Sequence, residues 1–167
     1  MSQSCPEIMS FKTAANTPMS AFLDQAIEIA SLSQLDSRLV ELVQAGLEIS
    51  NGALVLRRNL LRNIHLLNIG DPTGSEAATN EVHLDEYVQE SNWAVECVSQ
   101  GILLARGVLT ASRKHTATPV EAVIAVDEGG PDHLPSSTFR FYCLRVGDRW
   151  LADDIELYRE AILSIQS

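Results

Sequence analysis

Apolar residues recur at three- and four-residue spacing through the first third of the chain, and this spacing is typical of amphipathic helices. The pattern predicts helices over about 18–32 and 36–51. Asn51 and Gly52 suit the left-handed end of the second helix, because both residue types tolerate a positive φ. A third helix is predicted over about 53–68.

Beyond residue 92 the apolar pattern changes to alternation and to short runs of β-branched and aromatic residues, which favour strands. Gly147 and Asp148 separate two such runs and are typical of a two-residue hairpin turn. The tail 156–165 is predicted to end as a short helix. The predicted strands cover 93–98, 102–112, 120–126, 139–146 and 149–155.

Helices in the N-terminal half and strands in the C-terminal half predict the α+β class, since a parallel α/β sheet needs the two to alternate. We expect one domain over 1–167, with N-terminal helices packed on a curved antiparallel sheet of about four or five strands. Residues 1–17 are predicted to form a loose arm. The segment 71–92, which has six acidic residues and neither lysine nor arginine, is predicted to be an acidic loop with a short helix from Glu81 to Glu90.

The segment 139–155, FRFYCLRVGDRWLADDI, resembles the closing hairpin of nuclear-transport-factor-2-like domains. In many of those domains a short Gly/Asp turn is followed by Trp and a D-D-I-like run. The resemblance implies a cone-shaped α+β fold, although three sizeable predicted helices before the sheet depart from the family pattern. The family includes cyclases, isomerases, dehydratases, transport adaptors and immunity proteins, so the fold alone does not fix the function.

The chain has 12 basic and 22 acidic residues, which gives a formal net charge of −10. This charge argues against direct nucleic-acid binding, because phosphate backbones are bound through basic surfaces. The first residues lack the basic and apolar regions of a signal peptide, and no run approaches the ~20 apolar residues of a membrane span. We therefore expect a cytoplasmic protein that does not bind membranes.

The placement of cysteine and histidine gives little support to a metal site, a disulfide or a cofactor. The three cysteines are odd in number and far apart, so Cys97 and Cys143 are expected to be reduced thiols. His83 and His133 each lie near an aspartate, but neither pair has the further ligands that a metal site needs. Glycine motifs for phosphates or dinucleotides are absent, and no cofactor is predicted.

The acidic segment 71–92 is the surface feature that most indicates a function. Complementary charge speeds association with a basic protein by ~10–10³-fold, and aromatic residues are enriched at binding hot spots. We predict a non-catalytic protein-binding module, most concretely an acidic inhibitor or immunity-type protein that neutralises a bacterial toxin or effector. The predicted partner-binding residues are Asp85, Glu86, Tyr87, Glu90 and Trp93, with Asp127, Glu128 and Asp132 as a second acidic patch.

Two other functions also fit the sequence. One is a small cone-fold isomerase, cyclase or hydrolase, in which Asp153 or Asp154 transfers a proton together with a histidine. The other is an oligomeric adaptor subunit whose helices form a homodimer or docking face. The third predicted helix carries a basic stripe of Arg58, Arg62 and His65, which suits either solvated ion pairs or the binding of phosphate or an acidic partner.

Overall fold

The computed structural model describes residues 11–67, 70–89 and 91–167. In chain order its helices and strands are β1 (Lys12–Ala15), α1 (Thr17–Leu32), α2 (Ser37–Gln44), β2 (Leu47–Ser50), β3 (Ala53–Leu56), α3 (Arg57–Asn63), α4 (Pro72–Thr79), β4 (Val82–His83), α5 (Trp93–Ser112), β5 (Val120–Asp127), β6 (Ser136–Cys143) and β7 (Ala161–Gln166). Short 3-10 turns cover Ile64–Leu66, Leu84–Glu86 and Ile155–Leu157.

Five of the strands form one antiparallel sheet in the order β1-β7-β5-β6-β4. Strands β2 and β3 pair separately as a two-stranded antiparallel sheet. The predicted α+β class and the predicted antiparallel sheet are therefore confirmed. The predicted order, with three helices before the first strand, is wrong, because β1 precedes α1 and because β2 and β3 lie between α2 and α3.

Both faces of the central strands are buried. Alternate residues of β5, such as Ala122 and Ile124, belong to the main core together with residues of α1 and α5. On the other face, Val123 and Tyr142 belong to a smaller apolar cluster that also contains Ala77 of α4. The sheet is thus covered by helices on one side and by α4 and a loop on the other.

Helix α5 replaces the two strands that were predicted over 93–98 and 102–112. It contacts α1, α2 and β5, so it is buried on more than one side and its apolar residues do not form a single stripe at helical spacing. Gly101 faces β5, where an added Cβ would lie 2.8 Å from Ile124 Cγ1. α5 is long and apolar enough to cross a membrane, but 61% of its most apolar window is buried within the fold, as in the core helix of a globular domain.

The second and third predicted helices are shorter than expected, because a hairpin lies between them. Asn51 and Gly52 both have positive φ, 51° and 79°, and they join β2 to β3 in the manner of a primed turn. They do not end a helix. Leu61 and Ile64, two apolar residues of the third predicted helix, are 85% and 60% exposed.

The two ends of the described chain pair with each other. β1 lies within the predicted loose arm and pairs with β7, which replaces the predicted tail helix. Asn16 fixes this contact, because its side chain accepts a hydrogen bond from Ile162 N–H at 2.8 Å and donates one to Glu160 O at 2.8 Å. Residues 1–10 of the predicted arm, including Cys5, lie outside the described residues.

The predicted hairpin over 139–155 is half correct. Its first strand belongs to β6, but the segment 149–155 forms bends and the beginning of a 3-10 turn, without a strand. The tight turn lies one residue earlier than expected, since Arg145 and Asp148 form the closing bridge and Gly147 has a φ of 73°.

The predicted acidic loop 71–92 is largely ordered structure. Asp71 caps α4 by accepting a hydrogen bond from the Gly74 N–H at 2.8 Å. The predicted helix from Glu81 to Glu90 is wrong in the described part, where β4 and a single 3-10 turn occupy 82–86.

Candidate functional site

The two acidic patches predicted from the sequence meet at one end of the main sheet. Asp85, in the 3-10 turn after β4, accepts a hydrogen bond from the Ser137 N–H at 2.9 Å. Asp127, the last residue of β5, lies opposite Ser136 in the β5–β6 ladder. Because Ser136 and Ser137 begin β6, both carboxylates belong to the same end of the sheet. We call this surface the acidic end; its residues are Asp85, Glu86, Asp127, Glu128 and Asp132.

The acidic end combines anchored and exposed carboxylates. Asp127 accepts a hydrogen bond from the Gly129 N–H and pairs with His133 Nε2, both at 2.9 Å, and these two contacts lower the pKa of Asp127. Asp85 is half-buried and is held by Ser137. The carboxylates that are exposed to solvent are those of Glu86, Glu128 and Asp132.

The two predicted aromatic contact residues are less accessible than the sequence indicates. Tyr87 and Trp93 are half-buried and pack against the main core. The Arg38 guanidinium lies over the Tyr87 ring, 4.6 Å from its centroid, in a cation–π contact. Only part of each ring is therefore available to a partner. Glu90, the remaining predicted residue of this patch, lies outside the described residues.

A polar cleft of about 680 Å³ is lined by residues of α2, α3, the β4 segment and β6. Two residues of the predicted basic stripe, Arg58 and Arg62, line it, whereas His65 does not. Arg38 and Arg140, which are distant in sequence, also line this cleft. Their proximity to the basic stripe was not predicted from the sequence. We call it the arginine cleft.

Carboxylates balance three of these four arginines, including Arg38, whose Nε lies 3.1 Å from Asp36 Oδ1. Arg140 pairs with Glu81, and Arg58 Nη1 lies 3.4 Å from Glu41 Oε2. Arg62 forms neither an ion pair nor a hydrogen bond within the described residues. The cleft therefore offers at least one guanidinium to which the described residues supply no acceptor.

The histidines pair with different carboxylates from those that the sequence indicated. His83 Nε2 lies 2.8 Å from Glu81, while the carboxylate of Asp85 is directed to β6. His133 pairs with Asp127 across the loop. Within the described ranges, no group of three or more His, Cys, Asp or Glu side chains is placed to hold a metal ion.

Glu76 is a buried acid that sequence analysis placed in the acidic loop. Its side chain is fully buried and accepts hydrogen bonds from the N–H groups of Leu54 and Cys143, at 2.7 and 2.8 Å. Both of its oxygens also lie 2.8 Å from the Arg145 guanidinium. Glu76 thus joins α4, β3 and β6, and it takes no part in the acidic surface.

Glu121 is a second buried acid, on the sheet face that α4 covers. Arg149 donates to it at 2.9 and 2.5 Å, Ser164 at 2.5 Å and Gln166 at 3.0 Å, and the Tyr142 hydroxyl also donates to it. Burial opposes the charge of Glu121, but these hydrogen bonds outweigh burial and lower its pKa to about 2. The Glu121 side chain is fully buried and does not line the arginine cleft.

The aspartates of the enzyme hypothesis lie away from the arginine cleft. The Asp153 side chain is 99% exposed and is near Arg149, and Asp154 caps the following 3-10 turn by accepting from the Glu156 N–H. Neither aspartate lines the cleft or pairs with a histidine among the described residues. The structure therefore does not assemble the proton-transfer pair that this hypothesis requires.

Comparison with known families places almost the whole chain in one family. The family model of the uncharacterized protein PM0498 family matches residues 14–167. The chain belongs to this family. No curated protein and no solved structure shows a significant match. The resemblance of 139–155 to nuclear-transport-factor-2-like domains therefore stays a prediction.

Proposed function

We propose that this protein is a non-catalytic binding module that recognises a basic protein through the acidic end of its sheet. The observation that carries the proposal is the meeting of Asp85 and Asp127 at the start of β6. Two acidic segments that are distant in sequence thereby form one surface. A net charge of −10 on the whole chain adds to the negative potential around it.

The exposed carboxylates have a different role from the anchored ones in this proposal. Glu86, Glu128 and Asp132 attract a cationic partner over a distance and accelerate its association. Asp85 and Asp127 are fixed by hydrogen bonds to the backbone and keep the loops of this end in place. The exposed parts of Tyr87 and Trp93 supply contact area that slows dissociation.

The concrete form that we propose is an inhibitor of a bacterial toxin or effector, acting in the cytoplasm. A protein that acts on nucleic acid carries a cationic surface, because phosphate backbones are bound through lysine and arginine. An acidic surface on the inhibitor competes for that cationic surface. The same charge discourages the inhibitor from binding nucleic acid itself.

Paired baits with equal charge test this proposal. The double variant Glu128→Lys with Asp132→Lys changes the acidic end, whereas Asp24→Lys with Glu28→Lys makes the same change of charge on the exposed face of α1. Each bait captures proteins from the native host, and quantitative mass spectrometry compares the yields. We expect a basic protein that the unmodified and α1 baits retain and the acidic-end bait loses.

Binding measurements on the purified pair then decide the mechanism. We expect the acidic-end variant to bind at least tenfold more weakly than the α1 variant at low salt. The difference should shrink as salt is raised, because screening weakens exposed charges. Equal affinity of the two variants, or an affinity indifferent to salt, would show that the acidic end is not the binding surface.

A further inference from the structure

We propose that the arginine cleft binds a small organic phosphate. This inference goes beyond the proposed function, since it concerns a ligand of opposite charge; of the residues named for the acidic end and its aromatic contacts, Glu86 and Tyr87 also line the cleft. The cleft gathers four of the chain's twelve Lys and Arg residues, beside the carboxylates of Glu41, Glu81 and Glu86, although the chain as a whole is strongly acidic. Arginine binds phosphate well, because its planar guanidinium donates two parallel hydrogen bonds to a pair of oxygens.

The topology of the fold brings these arginines together. Arg38 comes from α2, Arg58 and Arg62 from successive turns of α3, and Arg140 from β6. Arg58 and Arg62 are four residues apart in one helix, so they lie on the same face. Arg140 is held in place, because it donates to Ala77 O at 3.1 Å and pairs with Glu81.

The ion pairs of the cleft leave room for an anion. The side chains of Arg58 and Glu41 are 54% and 64% exposed, and the 3.4 Å contact between them is of a kind that contributes little to stability. A phosphate can therefore displace Glu41 at small cost. Arg62, on the same helix face, has no acceptor within the described part of the chain and can bind the anion directly.

The size and the remaining lining of the cleft favour a ligand with an organic body. A volume of about 680 Å³ lies in the range of small-molecule sites and exceeds what a free phosphate fills. Leu42, Val82 and the Tyr87 ring supply apolar surface. A phosphate accepts from several guanidinium groups at once, whereas one arginine already satisfies a carboxylate, so the number of arginines favours phosphate.

Calorimetric titration of the full chain with three probes tests the proposal. Phenyl phosphate carries both the anion and an apolar body, inorganic phosphate carries the anion alone, and benzoate replaces the phosphate by a carboxylate. We expect saturable binding of phenyl phosphate, with inorganic phosphate and benzoate each at least tenfold weaker. A weak small-molecule site has a dissociation constant of about 1–10 mM. Absence of saturable phenyl phosphate binding up to about 10 mM would therefore overturn the proposal. Benzoate that binds as well as phenyl phosphate would overturn the assignment to phosphate.

Two variants of α3 locate the binding site. Arg62→Gln removes a guanidinium of the cleft, and Arg57→Gln makes the same change of charge outside it, where Arg57 pairs with Glu48 at 3.1 Å. Both side chains are exposed, so both variants should fold, which circular dichroism checks. We expect Arg62→Gln to weaken phenyl phosphate binding about tenfold or more and Arg57→Gln to weaken it less than about threefold. Equal losses in the two variants would show that the ligand responds to net charge and not to the cleft.

Discussion

The Glu76 carboxylate and the Arg145 guanidinium form a two-point ion pair, with both nitrogen–oxygen distances at 2.8 Å. Glu76 is fully buried, whereas the Arg145 side chain is 25% exposed. The same carboxylate accepts backbone N–H groups from β3 and β6. One side chain of α4 thus attaches the small two-stranded sheet to the main sheet.

Glu76→Gln should therefore destabilise the fold strongly. The amide removes the charge that Arg145 pairs with and directs an N–H₂ group at the backbone donors of β3 or β6. Breaking a buried ion pair from one side costs about 3–5 kcal/mol. Urea denaturation, followed by circular dichroism, measures this loss.

An exposed acid on α1 supplies the control for that measurement. Glu28→Gln changes the charge by the same amount, and we expect its effect to stay within about 0.5 kcal/mol. A loss below about 1 kcal/mol for Glu76→Gln would contradict the role assigned to the buried pair.

The hydrogen-bond network around Glu121 predicts that the folded protein becomes less stable at acidic pH. The pKa of Glu121 is lowered to about 2, so the carboxylate stays charged in the folded protein at a pH where it is protonated in the unfolded chain. Its contribution is present above the unfolded pKa of about 4.5 and is lost as the pH falls from there towards 2. We expect the free energy of unfolding to decrease in this window.

Glu121→Gln tests whether this residue causes the decrease. The variant cannot titrate, so its stability should be lower at pH 7 and should change less between pH 5 and pH 2. Parallel urea titrations at several pH values give both slopes. Identical slopes for the two proteins would assign the acid sensitivity to other carboxylates.

Two elements that sequence analysis assigned wrongly, α5 and β7, are buried on more than one side. α5 contacts α1, α2 and β5, and β7 lies between β1 and β5 under cover on both faces. A fully buried helix and a fully buried strand both appear as continuous apolar runs, so periodicity does not separate them. β5 was predicted correctly because β-branched residues and a preceding proline, Pro119, mark it as a strand.

The candidate site was predictable only where it depends on local sequence. Arg58 and Arg62 were recognised as one helix face, because the spacing of four residues is a local property. The presence of Arg38 and Arg140 in the same cleft depends on tertiary packing, which the local sequence does not encode. Glu76 was counted as a surface acid for the same reason, since its partner Arg145 is 69 residues away.

The cysteines of the core should be unreactive in the native protein. Burial raises the pKa of both Cys97 and Cys143 to about 12. At pH 8 only ~10⁻⁴ of each thiol is then ionised, and the thiolate is the reactive form. Alkylation with iodoacetamide, followed by peptide mass spectrometry, should leave both unmodified in buffer and modify both in urea. Rapid labelling of either in buffer would show that the thiol is accessible.

The close approach of α5 to β5 depends on Gly101. An alanine Cβ there would lie 2.8 and 2.9 Å from two side-chain carbons of Ile124, so the core would have to shift. Gly107, on the same helix, offers a matched comparison, because its added Cβ would come no closer than 3.3 Å to Val43. Both substitutions gain the same ~1 kcal/mol of helix propensity, so the difference between them isolates packing. Since overpacking costs ~1–3 kcal/mol, we expect Gly101→Ala to be less stable than Gly107→Ala by about 1–2 kcal/mol in thermal or urea unfolding. Equal stability of the two variants would mean that α5 can move away from the sheet at little cost.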